Sequence, residues 1–372
     1  MIIRSVQLRE FRSHTSTDLD CAPDVTILSG KNGVGKTSFL EAISVCAVGK
    51  SFVPVSDAAL IQHGREQCSV IVRCERDLHV PYHVSVTIRE GVRKKIETTF
   101  AQHCTPRDLI GELPVVALSP DHKSITIGGP ADRRAFVDGL MAQSSKRVTE
   151  LLYEHRRLLK QRNSMLADAA HHGGRVEGLD EWTDAFITCS AEVIRRRKDV
   201  LDDLTPRVRE AYDAVSGGEE KIDVRYEADG VADAAENVEE QLRRVYEKVA
   251  SREIQRGLTL FGPQKDEVAF MINDGVVRET ASQGQHKSLL VSLKIAECAL
   301  LYERTQERPV VLLDDVFSEL DRSRCEHVMQ TVLAMGMQCF VTTTEGAEMK
   351  KLVPVGKVVE VSKVTSEKSS EK

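Results

Sequence analysis

Residues 2–11 alternate loosely between apolar and polar positions, the period of a strand with one buried face. Val25, Thr26, Ile27 and Leu28 make a short, partly β-branched run that ends in a glycine-rich turn. Beyond it Phe39, Leu40, Ile43 and Ala47 recur at helical spacing, with Gly49 as the stop. Strand-like segments follow at 68–74, 80–88 and 94–100, the last two joined by a Glu90-Gly91 hairpin turn, and 114–120 reads as one more buried strand. The first third is therefore mostly sheet around one helix.

The pattern changes at Val148. Val148, Leu151, Leu152, Leu158, Leu159, Met165 and Leu166 fall on one helical stripe, and Trp182, Phe186, Cys189, Val193, Val200 and Leu204 on a second. Between them 169–174, Ala-Ala-His-His-Gly-Gly, reads as a turn. Two long helices on a short loop predict an antiparallel pair: a short helical hairpin, or two ordinary core helices. The last third returns to α/β, with helices expected at 288–301 and 322–333 and strands at 309–315 and 338–343. The polar stretch 365–372 reads as a disordered tail.

Composition narrows the function. The 372 residues suit two lobes, and 41% hydrophobic with 29% charged residues suits a globular protein. No apolar run is long enough to cross a bilayer. Met1-Ile2-Ile3-Arg4-Ser5 lacks the layout of a secretory signal, and nine scattered cysteines fit a reducing compartment, so the cytoplasm is expected. A formal charge of −6 means that any nucleic-acid contact must come from a local basic surface. The best clusters are Arg133 with Arg134, then Arg156, Arg157, Lys160 and Arg162, then Arg195, Arg196, Arg197 and Lys198. Taken singly, each also reads as a solvated helix face.

Three motifs carry chemistry. Gly30, Lys31, Asn32, Gly33, Val34, Gly35, Lys36 and Thr37 fit the phosphate-binding loop G-x-x-x-x-G-K-[ST], with the required strand before and helix after. Such a loop lets backbone N–H groups close around phosphates at a helix N-terminus; Lys36 would reach the β- and γ-phosphates of ATP and Thr37 would bind Mg2+. Next, 309–315 is an apolar strand ending in Asp314 and Asp315, where an α/β sheet presents groups to a ligand. Asp314 is assigned to Mg2+ and Asp315 to polarising the attacking water. Last, Ser282, Gln283, Gly284 and Gln285 precede a helix. Alone, Ser282 reads as a helix cap; some thirty residues before the Asp-Asp strand, it has the layout of an ABC-type signature.

Together these residues resemble the bacterial RecF family of recombination-repair proteins. The resemblance extends to Phe11-Arg12-Ser13-His14, Gly129-Pro130 through Arg133-Arg134-Ala135-Phe136-Val137-Asp138, Leu159-Lys160-Gln161-Arg162-Asn163, Thr259-Leu260-Phe261-Gly262-Pro263, and the run from Leu313 to Asp321. It covers nearly the whole chain. It implies an α/β ABC-ATPase head of the SMC/Rad50 kind, with a mixed sheet and a mainly helical second lobe. The lobes would run 1–120 and 306–364 for the ATPase part and 121–305 for the helical part, with the hairpin at about 147–205 and the signature at 282–285. It further implies that Arg12 joins the ATP site, that Asp321 is the D-loop, and that Ser282 acts in trans within an ATP-dependent homodimer. Gapped DNA would be the substrate surface, RecR, RecO and RecA the partners, and replication, repair of DNA damage and the SOS response the setting.

Some positions depart from the family or from transporter relatives. The family's Gly-Pro-His-Arg-Asp-Asp is Gly262-Pro263-Gln264-Lys265-Asp266-Glu267 here, and His286 and Lys287 follow the signature. Thr342, Thr343 and Thr344 stand where transporter ATPases place a histidine, and Asp315 is one methylene shorter than their glutamate. Slow hydrolysis, a switch and not a motor, is expected. Gln62 is the candidate for sensing the γ-phosphate. Alternative readings are a transporter ATPase subunit, another SMC-like head, or a P-loop kinase, which would not need the Ser282 element.

Overall fold

The computed structural model describes residues 1–171, 177–218, 220–232, 236–316 and 322–362. Packing divides the chain into two units, Met1–His122 with Glu297–Lys372, and Lys123–Ala296. In chain order the first unit contributes strands β1 (Ile2–Phe11), β2 (His14–Asp20) and β3 (Val25–Ser29), helix α1 (Lys36–Val48), strands β4 (Gln67–Glu75), β5 (Pro81–Arg89) and β6 (Lys95–Thr98), the single turn α2 (Pro106–Leu109) and β7 (Val115–Leu118). The second unit holds the turn α3 (Ser124–Ile127), helices α4 (Pro130–Ser144), α5 (Lys146–His171) and α6 (Leu179–Ser216), strand β8 (Ile222–Glu227), helix α7 (Val238–Arg256), strands β9 (Glu267–Ile272) and β10 (Gly275–Val276), and the turn α8 (Val277–Thr280). Helix α9 (Gln283–Thr305) begins there and ends in the first unit. Strand β11 (Val310–Leu313), a helix at Arg322–Ala334, β12 (Cys339–Thr343), a helix at Gly346–Leu352 and β13 (Lys357–Glu360) complete the first unit.

The first unit has two five-stranded sheets, ordered β2-β1-β4-β5-β6 and β13-β3-β12-β11-β7. In the first, antiparallel sheet, Val70, Val72 and Cys74 of β4 and Val84, Val86 and Ile88 of β5 alternate inward. The alternation in β1 slips between Ile3 and Val6 because the pairing with β4 shifts register between Ile3 and Ser5. That bulge explains why the pattern read along residues 2–11 is only loosely periodic. All pairings of the second sheet are parallel, and every residue of β11 and β12 is buried, as strands covered on both faces require. Helix α1 touches β1, β4 and β5 of one sheet and β12 of the other. It is apolar around most of its circumference, and ten of its thirteen residues are buried. One core thus binds both sheets to the helix that starts at the glycine-rich loop.

Strand β2 has no counterpart in the sequence pattern. His14–Asp20 is an edge strand rich in Thr and Asp, and its inward positions carry no apolar period to read.

In the second unit α5 and α6 run antiparallel: Leu151 meets Cys189, His155 meets Phe186 and Arg162 meets Thr183, so position rises on one helix as it falls on the other. Ala169 and Ala170, expected in the turn, are helical; His172, Gly173 and Gly174 lie outside the described residues. Strand β8 and helix α7 pack against this pair, and Phe186, Phe261, Leu242 and Ile194 share its core. The motif segments at 159–163 and 259–263 meet here. Asn163 accepts a hydrogen bond from the Thr259 N–H at 2.9 Å, and the fully buried Arg162 donates to Thr259 Oγ1 at 2.9 Å and to both carboxylate oxygens of Glu253. Rings of Phe186, Tyr246 and Phe261 surround its guanidinium.

Candidate functional site

The glycine-rich loop leaves the C-terminal end of β3 and turns into α1. Its last glycine, Gly35, sits at φ 111 as the cap of α1, and a Cβ there would lie 2.3 Å from Ser13 Oγ and 2.6 Å from His14 Nε2. Only glycine fits both the backbone and the space. No side chain caps the first N–H groups of α1, which leaves them available to an anion. The tip of the β1–β2 hairpin latches the loop from outside. Ser13 donates to Val34 O at 3.4 Å, and His14 Nε2 donates to Gly35 O at 2.9 Å. Because a carbonyl can only accept, Nε2 carries the proton and Nδ1 accepts from Thr17 Oγ1. Burial lowers the pKa of His14, so this neutral tautomer is the favoured one.

Lys36 folds back on the loop, its ammonium donating to Gly30 O at 2.6 Å and Lys31 O at 2.9 Å. Burial lowers its pKa, against the pull of Asp315 and Asp314. The hydroxyl of Thr37 lies 2.8 and 3.0 Å from the two carboxylate oxygens of Asp314. Asp314 is buried at the end of β11 and also accepts from Thr342 Oγ1 at 2.9 Å, while Thr342 Oγ1 accepts the Asp315 N–H at 2.8 Å. Burial raises the pKa of Asp314; the Thr37 and Thr342 hydroxyls pull it back, and Asp315 adds to the rise. A hydroxyl and a carboxylate side by side form a hard-oxygen donor set that suits Mg2+, which takes few protein ligands and completes its shell with water and phosphate. No cluster of three or more His, Cys, Asp or Glu that could hold a metal occurs among the described residues.

Asp315 is exposed and takes φ 49, a left-handed conformation rare for a residue with a side chain. It turns the chain at the strand end and lines a cleft of about 540 Å³ with Arg12, Asn32, Gly33, Lys36 and Thr37. Arg12 is also left-handed, at φ 53, and its N–H donates to Leu60 O at 2.8 Å. Its guanidinium donates to both oxygens of Glu41, a buried carboxylate of α1 that Ser51 braces at 2.9 Å. Glu41 does not stand out in the sequence as part of the site, since it lies inside an apolar helix, and Thr342 stands out only for the histidine it replaces, not for its bond to Asp314. Gln62 does not line this cleft; its side chain donates to Thr15 Oγ1 at 3.0 Å.

The signature residues form a capping box. Ser282 Oγ accepts the Gln285 N–H at 3.2 Å, and Gln285 Oε1 accepts the Ser282 N–H at 2.7 Å. Gln283 and Gly284 are in the first turn of α9. Asp321 lies outside the described residues.

Two of the basic positions expected to touch DNA are corrected by their burial. Arg133 is 5% exposed and grips both oxygens of Glu267 at 2.8 Å, with Gly128 O as a third acceptor. Arg197 is 4% exposed, bidentate to Asp138, and bonded to Pro263 O and Asp266. Buried and bound to carboxylates in this way, such guanidiniums hold the second unit together and do not present their charge at the surface. Arg162 of the neighbouring cluster is likewise internal. Arg134 donates to Asp266 O at 2.5 Å. Arg195 and Arg196 share Glu192, and Lys198 pairs with Asp202, all at the surface.

No helix among the described residues is long and apolar enough to cross a membrane. The RecF/RecN/SMC N terminal domain family matches residues 2–370. The DNA replication and repair protein RecF of Chloroherpeton thalassium is 34% identical over 354 residues, 93% of this chain and 95% of its own length. A solved structure of the recombination mediator protein RecF-ATP in the RecFOR pathway superposes with a TM-score of 0.87 at 25% identity, over 92% of each chain. An Smc head bound to the C-winged helix domain of ScpA gives 0.56 at 13% identity, over 97% of this chain and 94% of its own, a likeness of fold alone. The fold is that of an ABC-ATPase head of the SMC type, and the chain belongs to the RecF/RecN/SMC N-terminal domain family and, within it, to the RecF proteins of DNA replication and repair.

Proposed function

We propose that the protein binds ATP with Mg2+ in the cleft beside α1, pairs with a second copy that supplies Ser282 in trans, and acts as a slow ATP-driven switch on gapped DNA. The observation that carries this reading is the convergence of the glycine-rich loop, the Thr37–Asp314 pair and Asp315 on one cleft. Loop N–H groups and the uncapped start of α1 would cradle the phosphates, and Lys36 would exchange two backbone carbonyls for β- and γ-phosphate oxygens. Thr37 and Asp314 would hold Mg2+, which when bound neutralises phosphate charge. Arg12, aimed by Glu41, adds positive charge at the cleft wall. Asp315 is the group to polarise an attacking water, and its short side chain supports slow turnover.

The wider role follows the RecF family: cytoplasmic action in recombinational repair and replication, with RecR and RecO in loading RecA, and in the SOS response. The RecF-ATP structure of the RecFOR pathway supports this assignment. The direct test is a titration of the full chain with ATP. Lys36→Ala should bind about a hundredfold more weakly, the worth of a charge-assisted contact in a dry site. Equal affinity would exclude the cleft as the nucleotide site.

A further inference from the structure

The signature capping box has an anchor of its own. Gln285 uses Oε1 to accept the Ser282 N–H and Nε2 to donate to Glu220 Oε1 at 2.6 Å. The other oxygen of Glu220 accepts the hydroxyl of Tyr212, a fully buried residue in the last turns of α6. Ser282 is thus joined through two side chains to the end of a helix of 38 residues. The same box consumes one lone pair of the Ser282 hydroxyl on the Gln285 N–H and leaves its proton free to donate. That is the arrangement a phosphate oxygen requires.

We propose that Glu220 is a positioning residue for the signature: by fixing the Gln285 side chain against Tyr212, it holds Ser282 and the first turn of α9 in the geometry that meets the phosphates of a partner's nucleotide. This rests on the composite dimer site argued above. Glu220 touches neither nucleotide nor reacting atoms, so it acts only through Gln285. A glutamine at 220 preserves both contacts, because its Oε1 can accept from Gln285 while its Nε2 donates to the Tyr212 oxygen. Alanine preserves neither.

The experiment compares wild type, Glu220→Ala, Glu220→Gln and Ser282→Arg by sedimentation of the full chain with ATP, and by amide exchange of the nucleotide-free protein. Glu220→Ala should weaken the ATP-dependent dimer about tenfold, the scale of a lost helix cap with its anchor, with ATP binding to the monomer unchanged. Glu220→Gln should stay close to wild type. Exchange at residues 283–287 should rise in Glu220→Ala and stay at the wild-type level in Glu220→Gln. Unchanged exchange there overturns the proposal whatever the dimer does. So does a Glu220→Ala protein that dimerises like wild type while Ser282→Arg stays monomeric. A wild type that never dimerises, with exchange raised as described, retains the anchor and removes the composite site.

Discussion

Thr37 and Asp314 stand 277 positions apart in the chain, yet the threonine hydroxyl lies 2.8 Å from one carboxylate oxygen and 3.0 Å from the other. The start of α1 and the end of β11 meet there because β3 and β11 flank β12 in the parallel sheet, and all three strands end on the same side. The pair links the glycine-rich loop to the strand that presents carboxylates.

Burial raises the pKa of Asp314 above its unfolded value, so its ionisation costs stability in the nucleotide-free protein. The folded state binds more protons, and stability falls as pH rises through the unfolded and then the folded pKa. Asp314→Asn should therefore raise the melting temperature at neutral pH, with the difference closing as pH drops below the carboxylate range. It should also abolish any extra stabilisation from Mg2+ added with ATP. A lower melting temperature at neutral pH would contradict this placement of the charge.

Asp315 combines exposure with a left-handed backbone. Asp315→Asn keeps the side-chain size and should leave ATP affinity within about threefold while cutting single-turnover hydrolysis by about 10²–10⁴, the range for loss of a general base. Wild-type turnover should already be slow. Hydrolysis unaffected by the substitution would move the base elsewhere.

Arg197 and Arg195 are two positions apart and differ in kind. Arg197→Ala removes the counter-ion of the buried Asp266 and the largely buried Asp138 and should cost about 3–5 kcal/mol in chemical denaturation, whereas Arg195→Ala, at the surface, should cost about 1 kcal/mol or less. Loss of DNA binding on charge reversal across this cluster thus needs a stability control. Equal costs for the two would refute the distinction.

His155 lies against Phe186 with ring centroids 5.3 Å apart, and burial, followed by Arg197, pushes its pKa down to about 4. Neutral histidine is built into this core. Its contribution is complete above the unfolded value of 6.5 and is lost as pH falls toward 4, a swing of about 3 kcal/mol at most. Denaturation followed across that window should show the slope in wild type and a flatter one in His155→Leu.

The glycine-rich loop, the β11 strand end and the Ser282 segment are each contiguous, so their places before a helix or at a strand end were legible without coordinates. The latch by Ser13 and His14, the Glu41 brace on Arg12 and the Glu220 anchor were not, since each joins residues far apart whose types are ordinary in their own segments. Arg133 and Arg197 misled for the same reason: a basic run shows no trace of the distant acids, Glu267 and Asp266, that claim two of its members. Strand β2 escaped because an edge strand need not be apolar.

A nucleotide cleft completed by a second copy ties the oligomeric state to ATP. Sedimentation velocity of the full chain with and without ATP and gapped DNA tests it most directly. The protein should be a monomer without nucleotide and a dimer with ATP, the dimer should bind DNA more tightly, and Lys36→Ala should stay monomeric throughout. A mass that is the same at every ATP concentration, monomer or dimer, would contradict it.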